Sequence, residues 1–430
     1  MRLELITIGD ELLLGYTIDT NAAFLARELA AVGVSLVRRA TVGDSAGDIE
    51  AAVRDALDRT GAVITTGGLG PTSDDMTRQS IAAVFARELV PDESRWETLR
   101  ALWKERGRGE IPVTNRSQVM IPRGAHVLEN RHGTAPGIVL EDDDGRWCAM
   151  LPGVPREMRG MVGDALLPYV IRKLGDTHHV VRSRTLRTTS IAESKLAEVL
   201  GPLAGGMDGV SLAYLPGQDG VDLRVTVRDV GAADAERLLS EAMTALRDRV
   251  GRYAYGEDRD DLAATVLDLC KGSGLHVAVA ESCTGGLLGA RLTAIPGSSA
   301  VVNGGVIAYS NAVKTDMLGV PTELIERHGA VSEQVAVAMA SGARARVGSA
   351  IGVGITGVAG PDGGTAEKPV GLVWIAVDVD GTVQARGPRF IGDRTEIRYR
   401  ATQAALDMMR RLLADRAAAA TAGVQGTAVA

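Results

Sequence analysis

Over residues 1–172, short apolar runs alternate with segments whose apolar residues recur at helical spacing. Leu3–Gly9, Val34–Val42 and Ala62–Thr66 read as strands, and Thr20–Ala31, Asp48–Arg59, Met76–Arg87 and Arg156–Ile171 as helices. Such alternation predicts a parallel sheet covered on both faces, with ligands outside the carboxyl ends of its strands. Residues 178–256 change rhythm: Val180–Thr189, Val210–Pro216 and Val221–Val230 read as strands, Ile191–Leu200 and Ala233–Val250 as helices. That β-α-β-β-α order predicts a small α+β module. From Asp260 the α/β alternation returns, with strands at Leu275–Ala280, Val301–Ala308 and Ala350–Ile355 and helices at Asp261–Cys270, Leu287–Ile295, Ser332–Val347 and Asp393–Leu413. A hairpin is expected across Asp380–Gly381. The third part ends near residue 416, and Ala417–Ala430, rich in Ala, Gly and Thr, reads as a flexible tail.

Composition narrows the classes. The chain has 430 residues and a net charge of -7, which argues against a general nucleic-acid binder. Cys148, Cys270 and Cys283 are far apart and lack metal-ligand spacing, so neither a disulfide framework nor a cysteine metal site is expected. The start lacks the basic, long-apolar pattern of a signal peptide, and no apolar run is long enough to span a membrane. A cytoplasmic protein is the expectation.

Candidate chemistry concentrates where strands turn into helices. Ala280–Glu281–Ser282–Cys283–Thr284–Gly285–Gly286 places a serine at such a turn, where free N–H groups favour an oxyanion or phosphate. A helix cap by Ser282 or Thr284 would explain the same residues. Ser282, Tyr309 and Thr356 each end a strand pattern, and Lys314 lies one helical turn past Tyr309. A lysine whose pKa is lowered by burial can activate a serine, with a tyrosine relaying the proton. Ser299, in the tight loop before the Tyr309 strand, is a rival nucleophile that the sequence does not separate from Ser282. Thr356–Thr365, with Gly357 and Gly360, offers backbone N–H groups to a phosphate. Arg394 and Arg398 are candidates to close such a pocket, with Cys283, Thr284 and Gly285 completing the substrate-contacting set.

In the first part, Asp10 and Glu11 follow the first strand, Asp44 the second, and Gly67–Gly68–Leu69–Gly70–Pro71–Thr72–Ser73–Asp74–Asp75 the third. Glu157 opens a later helix, and Asn130 and Thr134 lie in another glycine-bearing loop. Carboxylates converging at one sheet edge repel one another. A divalent cation would relieve that and suit a phosphate-bearing substrate, with Gly67, Gly68, Gly70, Asn130 and Thr134 as contacts. His132 reads as a solvated loop histidine.

The stretches TGGLGPTSDD, NRHGTAPG and LPGVPREM resemble the molybdopterin-binding-like domain of the CinA family of competence/damage-inducible proteins. AESCTGG is similar to that family's C-terminal domain and to stand-alone nicotinamide mononucleotide (NMN) amidohydrolases. The resemblance implies a three-layer N-terminal domain acting as a metal-dependent ADP-ribose pyrophosphatase, a KH-like middle module, and a C-terminal α/β NMN amidohydrolase that needs no cofactor and works alone. Within this resemblance, Asp44 and Asp75 are the aspartates that matter. The middle module is expected as a spacer or homodimer element, because Gly201–Gly206 lacks the Gly-X-X-Gly clamp spacing and basic residues of an RNA binder. Two other readings are a molybdopterin-binding protein and a non-catalytic partner in competence or recombination.

Overall fold

The computed structural model describes residues 1–105, 107, 109–175 and 179–427, leaving aside the side chains of His179, Asp229 and residues 420–427. Residues 176–178, at the expected first boundary, and 428–430 of the expected tail lie outside the described residues. The chain divides into two compact units, residues 1–182 with 227–238, and residues 183–226 with 239–430.

The first part runs β1 (Arg2–Ile8), α1 (Asp10–Leu13), α2 (Thr20–Ala31), β2 (Ser35–Val42), α3 (Ala46–Thr60), β3 (Ala62–Thr66), α4 (Thr77–Val84), β4 (Leu89–Pro91), α5 (Glu93–Glu105), β5 (Met120–Pro122), β6 (His126–Leu128), β7 (Gly137–Glu141), β8 (Trp147–Leu151), α6 (Pro155–Met161) and α7 (Leu167–Leu174). Its main sheet has the order β2-β1-β3-β8-β7-β6. β2, β1, β3 and β8 are parallel, but β7 and β6 join antiparallel, so the sheet is mixed. Side-chain alternation builds the layers. Leu3 and Leu5 pack with Leu25, Leu29 and Met158 in one core, while Ile6 and Ile8 pack with Ile49, Val53 and Ile81 in another. Helices therefore cover both faces.

The middle module is β9 (His179–Thr188), α8 (Glu193–Leu200), β10 (Ser211–Pro216), β11 (Val221–Gly231), α9 (Ala232–Val250) and β12 (Ala254–Glu257), with sheet order β10-β11-β9-β12. β12 is a strand that the expected order lacked; at four residues it is too short to show a period.

The last part runs α10 (Leu262–Ser273), β13 (Val277–Glu281), α11 (Leu287–Thr293), β14 (Val302–Ile307), α12 (Asn311–Leu318), α13 (Thr322–His328), α14 (Glu333–Val347), β15 (Ile351–Gly357), β16 (Val373–Val379), β17 (Thr382–Arg386) and α15 (Arg394–Thr427). The sheet order is β14-β13-β15-β16-β17, with β14, β13 and β15 parallel and β16 and β17 antiparallel. Alternation again sorts the faces: Val277 and Val279 pack with α10 and α15 residues such as Val266 and Leu406, whereas Ala278 and Ala280 pack with Leu318, Val335 and Met339. Asp380 and Gly381 turn the β16–β17 hairpin, both at positive φ. α15 continues beyond Leu413 to Thr427, into the stretch expected as a tail, because its alanine-rich sequence favours helix. Among the described residues, no helix is long and apolar enough to cross a membrane.

Candidate active sites

β13 is apolar and wholly buried, and it delivers its last residue, Glu281, and then Ser282 to the carboxyl edge of the sheet. The Ser282 N–H donates to the Ile355 carbonyl on β15 (2.9 Å), which fixes the serine against the sheet. The chain then turns through Gly285 and Gly286, at φ 60° and 92°, a region that residues with a Cβ rarely adopt. α11 starts immediately after, at Leu287.

Glu281 organises this turn, a role outside the expected site residues. Its carboxylate, 1% exposed, accepts the N–H groups of Gly286 (3.1 Å), Leu288 (3.0 Å) and Gly289 (2.8 Å). Three donors at the start of α11 are thus satisfied internally. Among the described residues, no other residue accepts the backbone N–H groups of Cys283 and Thr284. A pair of free N–H groups at a helix start can serve an oxyanion. A carboxylate directly before a glycine-rich helix start was the signal for Glu281.

Lys314, on α12, is 1% exposed. Its Nζ lies 3.1 Å from Ser282 Oγ, 2.8 Å from the Ala308 carbonyl and 3.2 Å from the Tyr309 carbonyl. Burial lowers its pKa from the ordinary lysine value. A neutral amine has two N–H donors and one lone pair. In that neutral form the two carbonyls can take both donors, which leaves the lone pair to face the serine hydroxyl. Such an arrangement can act as a nucleophile and base in contact, with the base held in orientation by the backbone.

The remaining candidates divide. Tyr309 does not stand between Ser282 and Lys314: its ring is 64% exposed, and its hydroxyl accepts from Arg394 Nη2 at 3.3 Å. What Tyr309 gives Lys314 is its carbonyl, so the relay expectation is corrected. Ser299 sits in the turn before β14, whose first residue Val302 pairs with Val277, the first of β13. Ser282 follows the other end of β13, so at about 3.3 Å per residue the two serines are roughly 15–20 Å apart along the strands. Ser299 cannot share the Lys314 site. Thr356, 1% exposed, directs its hydroxyl to the Ala330 carbonyl (2.8 Å), and Gly357 belongs to the β15–β16 ladder; neither offers its group as a phosphate cradle. Arg394 Nη1 donates to the Gly360 carbonyl (2.7 Å), and Arg398 Nη2 to the Thr284 carbonyl (2.7 Å). Thr284 Oγ1 and Arg398 Nε are buried without a partner among the described residues. Such orphaned polar atoms mark where a ligand would complete the set.

Cys283 adjoins the serine, but burial pushes its thiol up to about 12. It is a thiol and not a thiolate at neutral pH, and therefore a poor nucleophile. On the amidohydrolase expectation, Cys283→Ala retains ammonia release within about twofold of the parent, because it removes a group held in its unreactive form.

In the N-terminal part a cleft of about 570 Å³ opens at the carboxyl edge of the sheet, lined by Glu11, Asp44, Asp74, Asp75 and Glu157 together with Gly67, Gly68, Gly70 and Thr134. Asp10 and Asp44 brace each other, each carboxylate accepting the other's N–H (3.3 and 3.0 Å). Asp75 accepts the N–H groups of Gly70 (2.7 Å) and Thr72 (2.9 Å) and the Thr72 hydroxyl, which shapes the glycine loop. At Gly67, φ 113°, an added Cβ would lie 2.1 Å from the Ile8 carbonyl oxygen, so only glycine lets the loop meet β1. Asn130 Nδ2 donates to the Ala135 carbonyl and to Glu157 (2.8 Å each), a loop brace more than a ligand contact. His132 is paired with Asp164 at 2.9 Å.

The expected six-carboxylate metal cage is not formed. Among the described residues, no three His, Cys, Asp or Glu side chains are gathered to hold an ion. The reason is that Asp75, Asp10 and Glu157 are committed to loop geometry. Asp44 also accepts the Asp10 N–H, but its charge sets it apart. Burial, with a smaller push from the charges of Asp10, Glu11 and Asp74, raises its carboxyl above the usual range. A cation beside it would remove that penalty. One or two such carboxylates plus substrate phosphates are how magnesium is commonly held, so the residues fit a substrate-assisted metal but not a preformed one.

Three family models match stretches of the chain, two of them overlapping. A CinA C-terminal domain matches residues 259–413, a probable molybdopterin binding domain matches 4–217, and a damage-inducible protein CinA KH domain matches 183–256. A CinA-like protein of Gemmatimonas aurantiaca is 62% identical over 414 residues, 96% of this chain and 97% of that one. A putative competence-damage inducible protein of Moorella thermoacetica is 43% identical over 413 residues, 96% and 99% of the two chains. Among solved structures, the competence/damage inducible protein CihA from Agrobacterium tumefaciens is 48% identical, covers 35% of this chain and 93% of its own, and has a TM-score of 0.35. With identity sustained along nearly its whole length, the chain belongs to the CinA family of competence/damage-inducible proteins.

Proposed function

We propose that the C-terminal part hydrolyses the carboxamide of NMN to nicotinate mononucleotide and ammonia. The observation that carries this reading is the buried Lys314 amine 3.1 Å from Ser282 Oγ. Ser282 Oγ attacks the carboxamide carbon as its proton passes to neutral Lys314. The developing oxyanion is met by the N–H groups of Cys283 and Thr284. Collapse of this intermediate breaks the C–N bond, and the Lys314 ammonium returns the proton to the leaving amine. Water, deprotonated by Lys314, then cleaves the acyl ester and restores the serine. Arg394 and Arg398 flank the turn, and their charge suits the substrate phosphate. None of these steps calls on a metal.

The N-terminal cleft, on the same footing, splits the pyrophosphate of ADP-ribose into AMP and ribose 5-phosphate. Asp44, with Glu11 or Asp74, would hold a divalent cation whose chemistry is to neutralise the phosphates and activate water. The chain's own contribution is to orient the diphosphate along the Gly67–Gly70 backbone. The test is to incubate the full chain with NMN and with ADP-ribose separately, each with divalent metal and with chelator. Ammonia release is expected to survive chelation, whereas AMP formation is expected to fall at least about 100-fold. AMP formation that persists in chelator removes the metal from the account. A chain that releases no ammonia from NMN removes the amidase.

A further inference from the structure

The middle module does contain a Gly-X-X-Gly, at Gly217–Gln218–Asp219–Gly220, in the hairpin between β10 and β11. In this chain it is not free to clamp a nucleic acid. Its Asp219 carboxylate accepts the Tyr399 hydroxyl at 2.6 Å and pairs with Arg187 at 3.1 Å and Arg291 at 3.9 Å. The Asp219 carbonyl accepts from Thr189 Oγ1 (2.7 Å) and Gln403 Nε2 (3.0 Å).

Three of these partners, Arg291, Tyr399 and Gln403, also tie α11 to α15. Arg291, on α11 and only 11% exposed, lies 4.5 Å over the Tyr399 ring and donates to Thr402 Oγ1 (2.9 Å) and Gln403 Oε1 (2.7 Å). Those partners are neutral, so the negative charge that answers this nearly buried guanidinium comes from Asp219. Tyr399 directly follows Arg398, whose guanidinium grips the Thr284 carbonyl in the nucleophile turn. α11 itself begins at that turn.

We infer that Asp219 is a positioning residue for the Ser282 site, the module's hairpin bracing α11 against α15 and through them the turn that carries the oxyanion donors. The inference rests on the amidase reading for its catalytic consequence, but not for the brace. It also qualifies the expectation that the stretch from Asp260 works alone, since that stretch lacks Asp219.

The test uses the full chain carrying Asp219→Ala, with Asp222→Asn as the control, because Asp222 shares Arg187 (3.4 Å) but not the α11–α15 pair. Hydrogen exchange is followed at the Gly286, Leu288 and Gly289 amides, and NMN turnover is measured in parallel. Asp219→Ala is expected to speed exchange at those amides and to lower kcat between about 10- and 100-fold with little change in KM, as small misplacements of reacting groups do. Asp222→Asn is expected to do neither. Unchanged exchange at the turn, an unchanged kcat in an active chain, or an equal effect from Asp222→Asn would each overturn the inference. Faster exchange in a chain that never released ammonia from NMN would sink the amidase reading and leave the brace standing.

Discussion

Lys314→Met is expected to lower NMN turnover by on the order of 10³–10⁴ while the chain stays folded. Methionine keeps the length and apolar body of the side chain but removes the lone pair beside Ser282 Oγ. Loss of the general base alone accounts for much of this. Nucleophile and base act as a unit, so Ser282→Ala and the double variant should fall to about the same floor. Folding is spared because Lys314 is among the largest fully buried side chains of the described residues, and its amine gives up hydration that methionine does not need. Against that, the Ala308 and Tyr309 carbonyls lose their donor. The same residue sets the pH dependence. Its lowered pKa means the reactive neutral amine gains population as pH rises through that value, so kcat/KM should climb with pH and level off below the ordinary lysine range of about 10.4. A Lys314→Met variant with unchanged turnover, or a rate that rises as pH falls, would remove lysine as the base.

The second large effect is expected at Glu281. Glu281→Ala leaves the N–H groups of Gly286, Leu288 and Gly289 without an acceptor inside the protein, and each buried orphan costs about 1–3 kcal/mol. The turn would have to open to water to recover those bonds, which moves the Cys283 and Thr284 donors off the oxyanion position. Turnover should drop by at least about 10², comparable with losing an oxyanion donor outright, and the melting temperature should fall as well. Glu281→Gln should recover only part of either, since its amide NH₂ would face backbone N–H groups that need an acceptor. Thermal unfolding followed by circular dichroism, together with ammonia release, checks both. A Glu281→Ala chain of unchanged melting temperature and rate would show that the turn holds itself.

The strand-to-helix turn at Ser282 was legible in the sequence because an apolar run, a serine and paired glycines leave few other conformations. The approach of Lys314 was legible for a related reason: parallel strands bring their carboxyl ends to one edge. Ser299 stayed open because a linear pattern does not say at which edge of the sheet a loop lies, and the β13–β14 register decides that. Tyr309 was expected between Ser282 and Lys314, yet its contribution is a carbonyl, a group every residue has and no pattern marks. The carboxylates of the first part looked like ligands because sequence shows where an acid falls but not which N–H groups it already serves. Asp75 and Asp10 are such acids. The short strands β6 and β12, of three and four residues, are below the length at which alternation can be seen.

The most direct measurement is ammonia release from NMN, in the presence of chelator, by the full chain and its Ser282→Ala and Cys283→Ala forms. The account expects release by the parent and by Cys283→Ala at similar rates, and a loss on the order of 10³ or more in Ser282→Ala. A Ser282→Ala chain at near-parental rate, or an inactive Cys283→Ala beside an active Ser282→Ala, would contradict the serine–lysine mechanism.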